Sequence, residues 1–325
     1  MSLIDAFGRK INYLRLSVTD RCNLRCSYCM PTEGVPKKQH NEILRFEDLF
    51  RIAETATELG IEKIRITGGE PLVRKGIVDF LAQLSNLPRL KELVLTTNGL
   101  LLPEMADALC AAGVQRLNVS LDSLKAETFT RITRKGRLST VLAGIEAAGY
   151  AGLPMKINTV VMRGINDDEI LNFIRMTIDQ QLSVRFIEYM PVIKAKDWQS
   201  LVMTGQEILN LISRNHQVEQ LEAGRSCGPA KMYRVKGATG SFGLITPLSG
   251  HFCEHCNRIR VSSDGRASSC LFADHRLDLR PALQLSENDG LAAAFRTLIN
   301  EKPDRHHLST VDAPHVPFVM ANIGG

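Results

Sequence analysis

The stretch Cys22-Asn-Leu-Arg-Cys26-Ser-Tyr-Cys29 places three cysteines within eight residues. A four-iron cube needs one ligand for each iron, so three thiolates leave one iron open to a further ligand. A structural zinc site takes four protein ligands, and a distant residue such as His40 could complete one here. The C-x3-C-x2-C spacing favours the iron-sulfur cluster over zinc, because it supplies three ligands in one tight group.

The same spacing resembles that of radical S-adenosylmethionine (SAM) enzymes. In that superfamily the methionine part of SAM chelates the open iron of a [4Fe-4S] cluster. An aromatic residue, Tyr28, stands directly before the last cysteine. The resemblance therefore implies a first cluster that binds SAM.

Composition sets limits on the class of protein. The chain has 325 residues, of which 44% are hydrophobic, enough for a full core and about two domains. Charged residues interrupt the first eighteen positions, and no apolar run is long enough to span a membrane. Eight cysteines without a secretory signal indicate reduced thiols and metal binding in the cytoplasm. The net charge of +5 permits an anionic ligand.

The pattern of short apolar runs predicts alternating strands and helices. Strands are predicted at residues 13–18, 63–67, 92–97, 116–121, 156–161 and 184–188. Helices are predicted between them at residues 46–59, 77–84, 103–112, 141–148 and 169–178. Six β-α units are too few for a standard eight-stranded barrel. We therefore predict an α/β fold, with a partial, open (β/α)6 radical-SAM barrel over residues 1–190.

A smaller α+β domain is predicted over residues 191–325, where the β-α regularity ends. Its predicted elements are a helix at 204–214, strands at 232–236, 242–246 and 258–260, and a helix at 291–300. It also contains a second triplet, Cys253, Cys256 and Cys270. From spacing alone this triplet could bind an auxiliary iron-sulfur cluster or, with one nearby histidine, zinc. Those histidines are His251, His255 and His275.

Longer runs carry a narrower resemblance. Residues 67–71, T-G-G-E-P, follow a predicted strand, where glycines allow close approach and Glu70 can meet a cationic amine, as in the motif that binds the SAM ammonium group. The other runs are LRLSVTDRCN (14–23), KIRIT (63–67), TTNG (96–99), NVSLD (118–122), KINT (156–159), RFIE (185–188), FCEHCNRIR (252–260) and GG (324–325). Together they resemble the GTP 3′,8-cyclase family of molybdenum cofactor biosynthesis over nearly the full length.

This resemblance implies individual roles. A first [4Fe-4S] cluster would be held by Cys22, Cys26 and Cys29, and an auxiliary one by Cys253, Cys256 and Cys270. SAM would contact Tyr28, Gly69, Ser120 and Met190. GTP would contact Arg15, Arg65, Thr96, Lys156, Arg258 and Arg260, with Lys63 and Arg185 as further candidates. The terminal pair, Gly324 and Gly325, would reach the active site.

Charge placement favours an anionic ligand independently of the resemblance. Arg15, Arg65, Lys156 and Arg185 lie in or beside predicted strands, where a charge is costly unless it is paired. Guanidinium groups suit phosphate oxygens, and a triphosphate can bind several of them. Any single residue of this set could instead lie at the surface or pair with a carboxylate, without binding a ligand.

The predicted function is a radical cyclisation of GTP that starts with reductive cleavage of SAM. Two alternatives remain. Another auxiliary-cluster radical SAM enzyme, for example one that modifies a peptide, would not depend on GTP. A zinc-binding, non-enzymatic module would hold zinc and would not cleave SAM. The resemblance also implies a homodimer, an unidentified electron donor and a downstream cyclic pyranopterin monophosphate synthase. Nucleic acid and membrane partners are not expected.

Overall fold

Twelve strands form one continuous sheet in the computed structural model, which describes residues 3–36, 38–190, 197–222, 228–250, 252–273, 275–285, 288–306 and 320. The strands are β1 Tyr13–Ser17, β2 Lys63–Thr67, β3 Glu92–Thr97, β4 Arg116–Ser120, β5 Met155–Val161, β6 Ser183–Glu188, β7 Val218–Gln220, β8 Lys231–Val235, β9 Ser241–Ile245, β10 Arg258–Val261, β11 Arg266–Ser268 and β12 Leu277–Asp278. Their order is β12-β11-β10-β1-β2-β3-β4-β5-β6-β9-β8-β7.

Nine α-helices accompany the sheet within the described residues. They are α1 Phe46–Glu58, α2 Ile77–Ser85, α3 Leu102–Ala111, α4 Ala126–Thr133, α5 Leu138–Tyr150, α6 Ile170–Asp179, α7 Gly205–Asn215, α8 Arg280–Leu283 and α9 Asp289–Asn300. In α1 the buried residues Leu49, Ile52, Ala53 and Ala56 recur at helical spacing and form one apolar face against the core. None of these helices has the length and apolar character needed to cross a membrane.

Alternation along the strands separates an apolar face from a polar one. On β1, Leu14 and Leu16 are fully buried in the core, whereas Arg15 between them faces the opposite side of the sheet. The sequence K-I-R-I-T of β2 repeats this pattern. One face of the sheet therefore packs against helices, and the other carries cations.

The six predicted β-α units are confirmed, and the strand ends agree with the prediction within one residue. Helix α4 was not predicted, because only Phe129, Ile132 and Thr133 of its eight residues are buried and the apolar period is too short to stand out. The short strands β7, β11 and β12 were also missed.

The carboxy-terminal segment extends the sheet on both sides. Strand β10 pairs with β1 and β9 pairs with β6, in both cases parallel. Antiparallel strands β11 and β12 follow β10, and β8 and β7 follow β9. The two predicted domains thus share one sheet, and the boundary at residue 190 stays a prediction.

Candidate functional site

A cavity of about 820 Å³ lies on the polar face of the sheet. Strands from both ends of the parallel run, β10 and β9, contribute to its wall, so the sheet curves around it. Every predicted site residue that the structure describes lines this cavity: Arg15, Cys22, Cys26, Tyr28, Cys29, Lys63, Arg65, Gly69, Thr96, Ser120, Lys156, Arg185, Met190, Cys253, Cys256, Arg258, Arg260 and Cys270. Gly324 and Gly325 lie outside the described residues, although Met320 lines the cavity.

The first cysteine triplet lies in the loop after β1. The backbone N–H of Cys29 donates to the carbonyl of Cys26 at 2.9 Å, which closes a tight turn. The N–H of Leu24 donates to Cys22 Sγ at 3.4 Å, and Asn98 Nδ2 lies 3.9 Å from the same sulfur. Burial raises the pKa of Cys22, and burial together with Asp122 raises the pKa of Cys26 well above its usual range. Negative charge on these two sulfurs is therefore costly unless a cation lies beside them.

Gly69 and Glu70 fix the end of β2 against this loop. The N–H of Gly69 donates to Thr19 O at 2.9 Å, and that of Glu70 donates to Arg21 O at 2.8 Å. The Glu70 carboxylate is 1% exposed and accepts from Leu72 N, Thr97 Oγ1 and Asn98 N. Burial raises the pKa of Glu70 to about 7 despite these donors. Glu70 thus connects neighbouring strand ends, and its contact with an amine stays a prediction.

Tyr28 is held by a residue that sequence reasoning did not single out. Its hydroxyl donates to Asp122 Oδ2 at 2.8 Å, while Asp122 Oδ1 accepts from the N–H of Val160 at 2.9 Å. Burial raises the pKa of Asp122 to about 6. Asp122 falls within a run quoted for the family resemblance, but no charge pattern marked it out.

The second cysteine triplet lines the same cavity from the β9-β10 connection and the turn after β11. The N–H of Cys256 donates to Cys253 O at 3.0 Å. Although burial would raise it, the positive charges of Arg258 and Lys302 lower the pKa of Cys256 to about 6. Lys302 lies two residues after the end of α9 and was not predicted as a site residue. A lone lysine after a helix carries no motif that could have indicated this position.

Three arginines form a row across adjacent strands. Arg15 of β1 is in register with Arg260 of β10 on one side and Arg65 of β2 on the other. Among the described residues, Arg15 Nε, Arg65 Nε and Arg260 Nη1 are buried without a hydrogen-bond partner. Burial and the neighbouring guanidinium groups lower the pKa of Arg15 well below its usual value. An anion with several oxygens would satisfy these donors and offset their repulsion.

A carboxylate pairs two other cations of the cavity. Lys63 Nζ lies 2.6 Å from Glu92 Oε2, and Glu92 Oε1 contacts Arg116. Lys63, a further candidate for contact with GTP, therefore already has a carboxylate partner. Arg116 lines the cavity and was missed, although its place on a predicted strand, alternating with Asn118 and Ser120, was a usable signal.

Lys156 stands among cations beside this pair. Burial and the charges of Arg185, Arg116 and Lys63 lower the pKa of Lys156 to about 7. Its side chain therefore gains a full charge most readily when an anion enters the cavity.

A cluster and a single metal ion make different demands on the two triplets. Within the part of the chain that the structure describes, no three His, Cys, Asp or Glu side chains form a group that could hold one ion. Structural zinc draws its ligands onto one centre, whereas each thiolate of a cube binds a different iron. His251, one of the histidines of the zinc alternative, lies outside the described residues.

Two protein-family models match consecutive parts of the chain. Residues 16–177 match the model of the Radical SAM superfamily, and residues 182–308 match that of Molybdenum Cofactor Synthesis C. A protein of Geobacter sulfurreducens named GTP 3′,8-cyclase is 60% identical over 100% of both chains. One of Peptoclostridium acidaminophilum with the same name is 47% identical over 99% of this chain and 98% of its own.

Solved structures agree in fold. The crystal structure of Streptococcus suis SuiB bound to S-adenosylmethionine has a TM-score of 0.60 and 15% identity, covering 90% of this chain and 69% of SuiB. At this identity the likeness shows the fold alone. It confirms the predicted α/β radical-SAM architecture.

Proposed function

Because this chain belongs to the GTP 3′,8-cyclase family of the radical SAM superfamily, we propose that it converts GTP to (8S)-3′,8-cyclo-7,8-dihydroguanosine 5′-triphosphate, the first step of molybdenum cofactor biosynthesis. The observation that carries the proposal is the content of the cavity. It contains two separate cysteine triplets and a row of arginines with unsatisfied buried donors. A radical SAM enzyme acting on a nucleoside triphosphate needs a cluster-binding loop and cationic side chains for the phosphates in one cavity, and both are present here.

SAM and the first cluster belong at the loop after β1. Cys22, Cys26 and Cys29 would hold the cluster, which supplies a 5′-deoxyadenosyl radical by reductive cleavage of SAM. Tyr28, Gly69, Ser120 and Met190 would contact SAM. The hydroxyl of Tyr28 is bonded to Asp122, so Tyr28 would contact the adenine through its backbone rather than through its hydroxyl.

GTP belongs between this loop and the second triplet. Its triphosphate would accept from the row of Arg260, Arg15 and Arg65, since planar guanidinium groups match phosphate oxygens in pairs. The remaining contacts would come from Thr96, Lys156, Arg258, Lys63 and Arg185. Thr96 Oγ1 is buried without a partner among the described residues, so it can bond a ligand.

The second triplet would hold an auxiliary [4Fe-4S] cluster, and with three cysteines it leaves one coordination position for the guanine. In the balanced reaction, one hydrogen atom leaves C3′ of the ribose and a C3′–C8 bond forms. The hydrogen atom goes to the 5′-deoxyadenosyl radical, and the C8–N7 double bond opens as the new bond forms. The resulting N7-centred radical takes up one electron and one proton to give the product. The protein's contribution is to fix C3′ against the SAM site and to exclude water.

Three further proposals rest on family membership alone. The enzyme works in the cytoplasm as a homodimer. It receives electrons from a donor that is not yet identified. Its product passes to cyclic pyranopterin monophosphate synthase.

Deuterium at C3′ of GTP is expected to appear in 5′-deoxyadenosine. Anaerobically reconstituted protein would be incubated with dithionite, SAM and the labelled GTP, and the products would be analysed by mass spectrometry. GTP labelled at C2′ or C4′ is the control and should transfer no deuterium. Transfer from C2′ or C4′ instead would show that GTP is held in a different pose. Formation of the same amount of 5′-deoxyadenosine without GTP would refute the proposed reaction and would favour the peptide-modifying alternative.

Reconstituted protein is expected to contain roughly eight irons per chain, because each triplet holds one four-iron cluster. Replacing the three cysteines of either triplet by serine should remove about half of the iron. Metal analysis and visible absorption measure this directly. One zinc ion per chain and no charge-transfer absorption after anaerobic purification would support the zinc alternative instead.

A further inference from the structure

Lys302 is a buried lysine next to the second cysteine triplet. Its side chain is 3% exposed, and its Nζ lies 3.6 Å from Cys256 Sγ, 3.1 Å from Arg258 O and 2.5 Å from Ser269 O. The carboxylates nearest in sequence do not contact Lys302: Glu301 Oε2 lies 4.0 Å from His275 Nδ1, and Asp304 Oδ2 lies 3.8 Å from Arg305 Nε. The charge of Lys302 is therefore directed at the cysteine-bearing segments.

The three acceptors match the three N–H donors of an ammonium group. Two of them are carbonyls beside cysteines: Arg258 is two residues after Cys256, and Ser269 directly precedes Cys270. One side chain thus connects the segments that carry two of the three cysteines, and it also donates to the sulfur of Cys256.

Arg9 fixes the segment from which Lys302 projects. Its guanidinium donates to the carbonyls of Pro303 at 2.7 Å, Asp304 at 2.7 Å and Cys253 at 2.9 Å. Asp5 accepts from Arg9 Nε and orients it. Arg9 and Asp5 therefore hold both the backbone after Lys302 and the backbone of Cys253, the remaining cysteine of the triplet.

We propose that Lys302 is a positioning residue for the second cysteine triplet, which holds Cys256 and Cys270 together and raises the midpoint potential of the auxiliary cluster. The inference rests on the proposed function, because it requires that this triplet binds a cluster. Reduction adds one negative charge to a cluster, and a buried cation bonded to a ligand sulfur favours the reduced state. Water does not screen this charge, since Lys302 is buried.

The test measures the midpoint potential of the auxiliary cluster alone. Serine replaces Cys22, Cys26 and Cys29 in the full-length chain, so only the second triplet can hold iron. Three substitutions are then made in this parent. Lys302→Gln removes the charge but keeps two N–H donors, and Lys302→Met removes the charge and the donors. Lys302→Arg keeps the charge and the donors. Lys236→Met is the matched control, because Lys236 is exposed. Iron content and an EPR-monitored redox titration are measured for each protein.

The Gln and Met variants are expected to shift the one-electron equilibrium about tenfold towards the oxidised state, or about 59 mV to lower potential. The Arg and Lys236→Met variants should keep the parent potential. Loss of iron from a folded Gln variant supports the positioning role. Parent iron content and potential in the Gln variant would overturn the proposal.

If the Gln and Met variants do not fold, the Lys302→Arg variant provides the test. Parent iron content and potential in this variant support the proposal, whereas loss of iron or a shift of the potential would overturn it. A parent protein that binds no iron would instead show that the auxiliary cluster itself was wrongly proposed. The two failures are therefore distinguishable.

Discussion

The double variant Arg15→Met/Arg260→Met is expected to lose GTP turnover while the ligand-free protein becomes more resistant to heat. Each arginine would donate charge-assisted bonds worth about 1.5–3 kcal/mol to the triphosphate. Loss of two such contacts lowers kcat/KM by on the order of 100-fold or more. The two residues are neighbours in register and have buried donors without partners among the described residues. Replacing them by apolar side chains therefore removes repulsion from the empty cavity.

Kinetics with GTP and thermal melts without it measure the two effects separately. Lys231→Met/Lys236→Met is the matched control, because it removes the same charge from exposed positions at the far end of the sheet. That control should keep both turnover and melting temperature. Near-normal GTP turnover in the arginine double variant would exclude the row as the triphosphate site. A lower melting temperature would show that the arginines stabilise the protein without a ligand.

The strands and their cations could be predicted because they depend on local pattern. Period-two alternation in residues such as Leu14, Arg15 and Leu16 indicates which side chains leave the apolar face. Register is a different matter, because it depends on which strands become neighbours. The row of three arginines exists only because β10 returns to pair with β1, and nothing near residue 258 in the sequence specifies that partner.

Single polar residues outside a motif were the ones that sequence reasoning missed. Lys302 follows an amphipathic helix, a place where lysine is ordinarily exposed, and only the tertiary structure buries it against Cys256. Glu92 was predicted only as part of a strand, and its contacts with Lys63 and Arg116 come from pairing with strands on both sides. Such contacts combine residues that are distant in sequence, so composition and spacing do not reveal them.

Gly69→Ala is expected to remove the first cluster and to reduce 5′-deoxyadenosine formation by on the order of 100-fold or more. A Cβ at this position would lie 2.7 Å from the carbonyl carbon of Arg21 and 2.9 Å from the carbonyl oxygen of Asp20. These are backbone atoms directly before Cys22, so they can move only if the cysteine loop moves. The hydrogen bonds from Gly69 and Glu70 to this loop would be lost with that movement.

Iron analysis should show that the Gly69→Ala protein keeps about half of its iron, because the second triplet lies on other elements. Gly149→Ala is the matched control. Gly149 lies in α5, and its added Cβ would meet only Met155 Cε, at an ordinary 3.9 Å. Alanine in a helix stabilises by up to about 1 kcal/mol relative to glycine, so this variant should keep full iron content and activity. Full iron content in Gly69→Ala would mean that the loop can retreat without losing its cluster. The close approach of the Asp20 and Arg21 backbone would then not explain why residue 69 is a glycine.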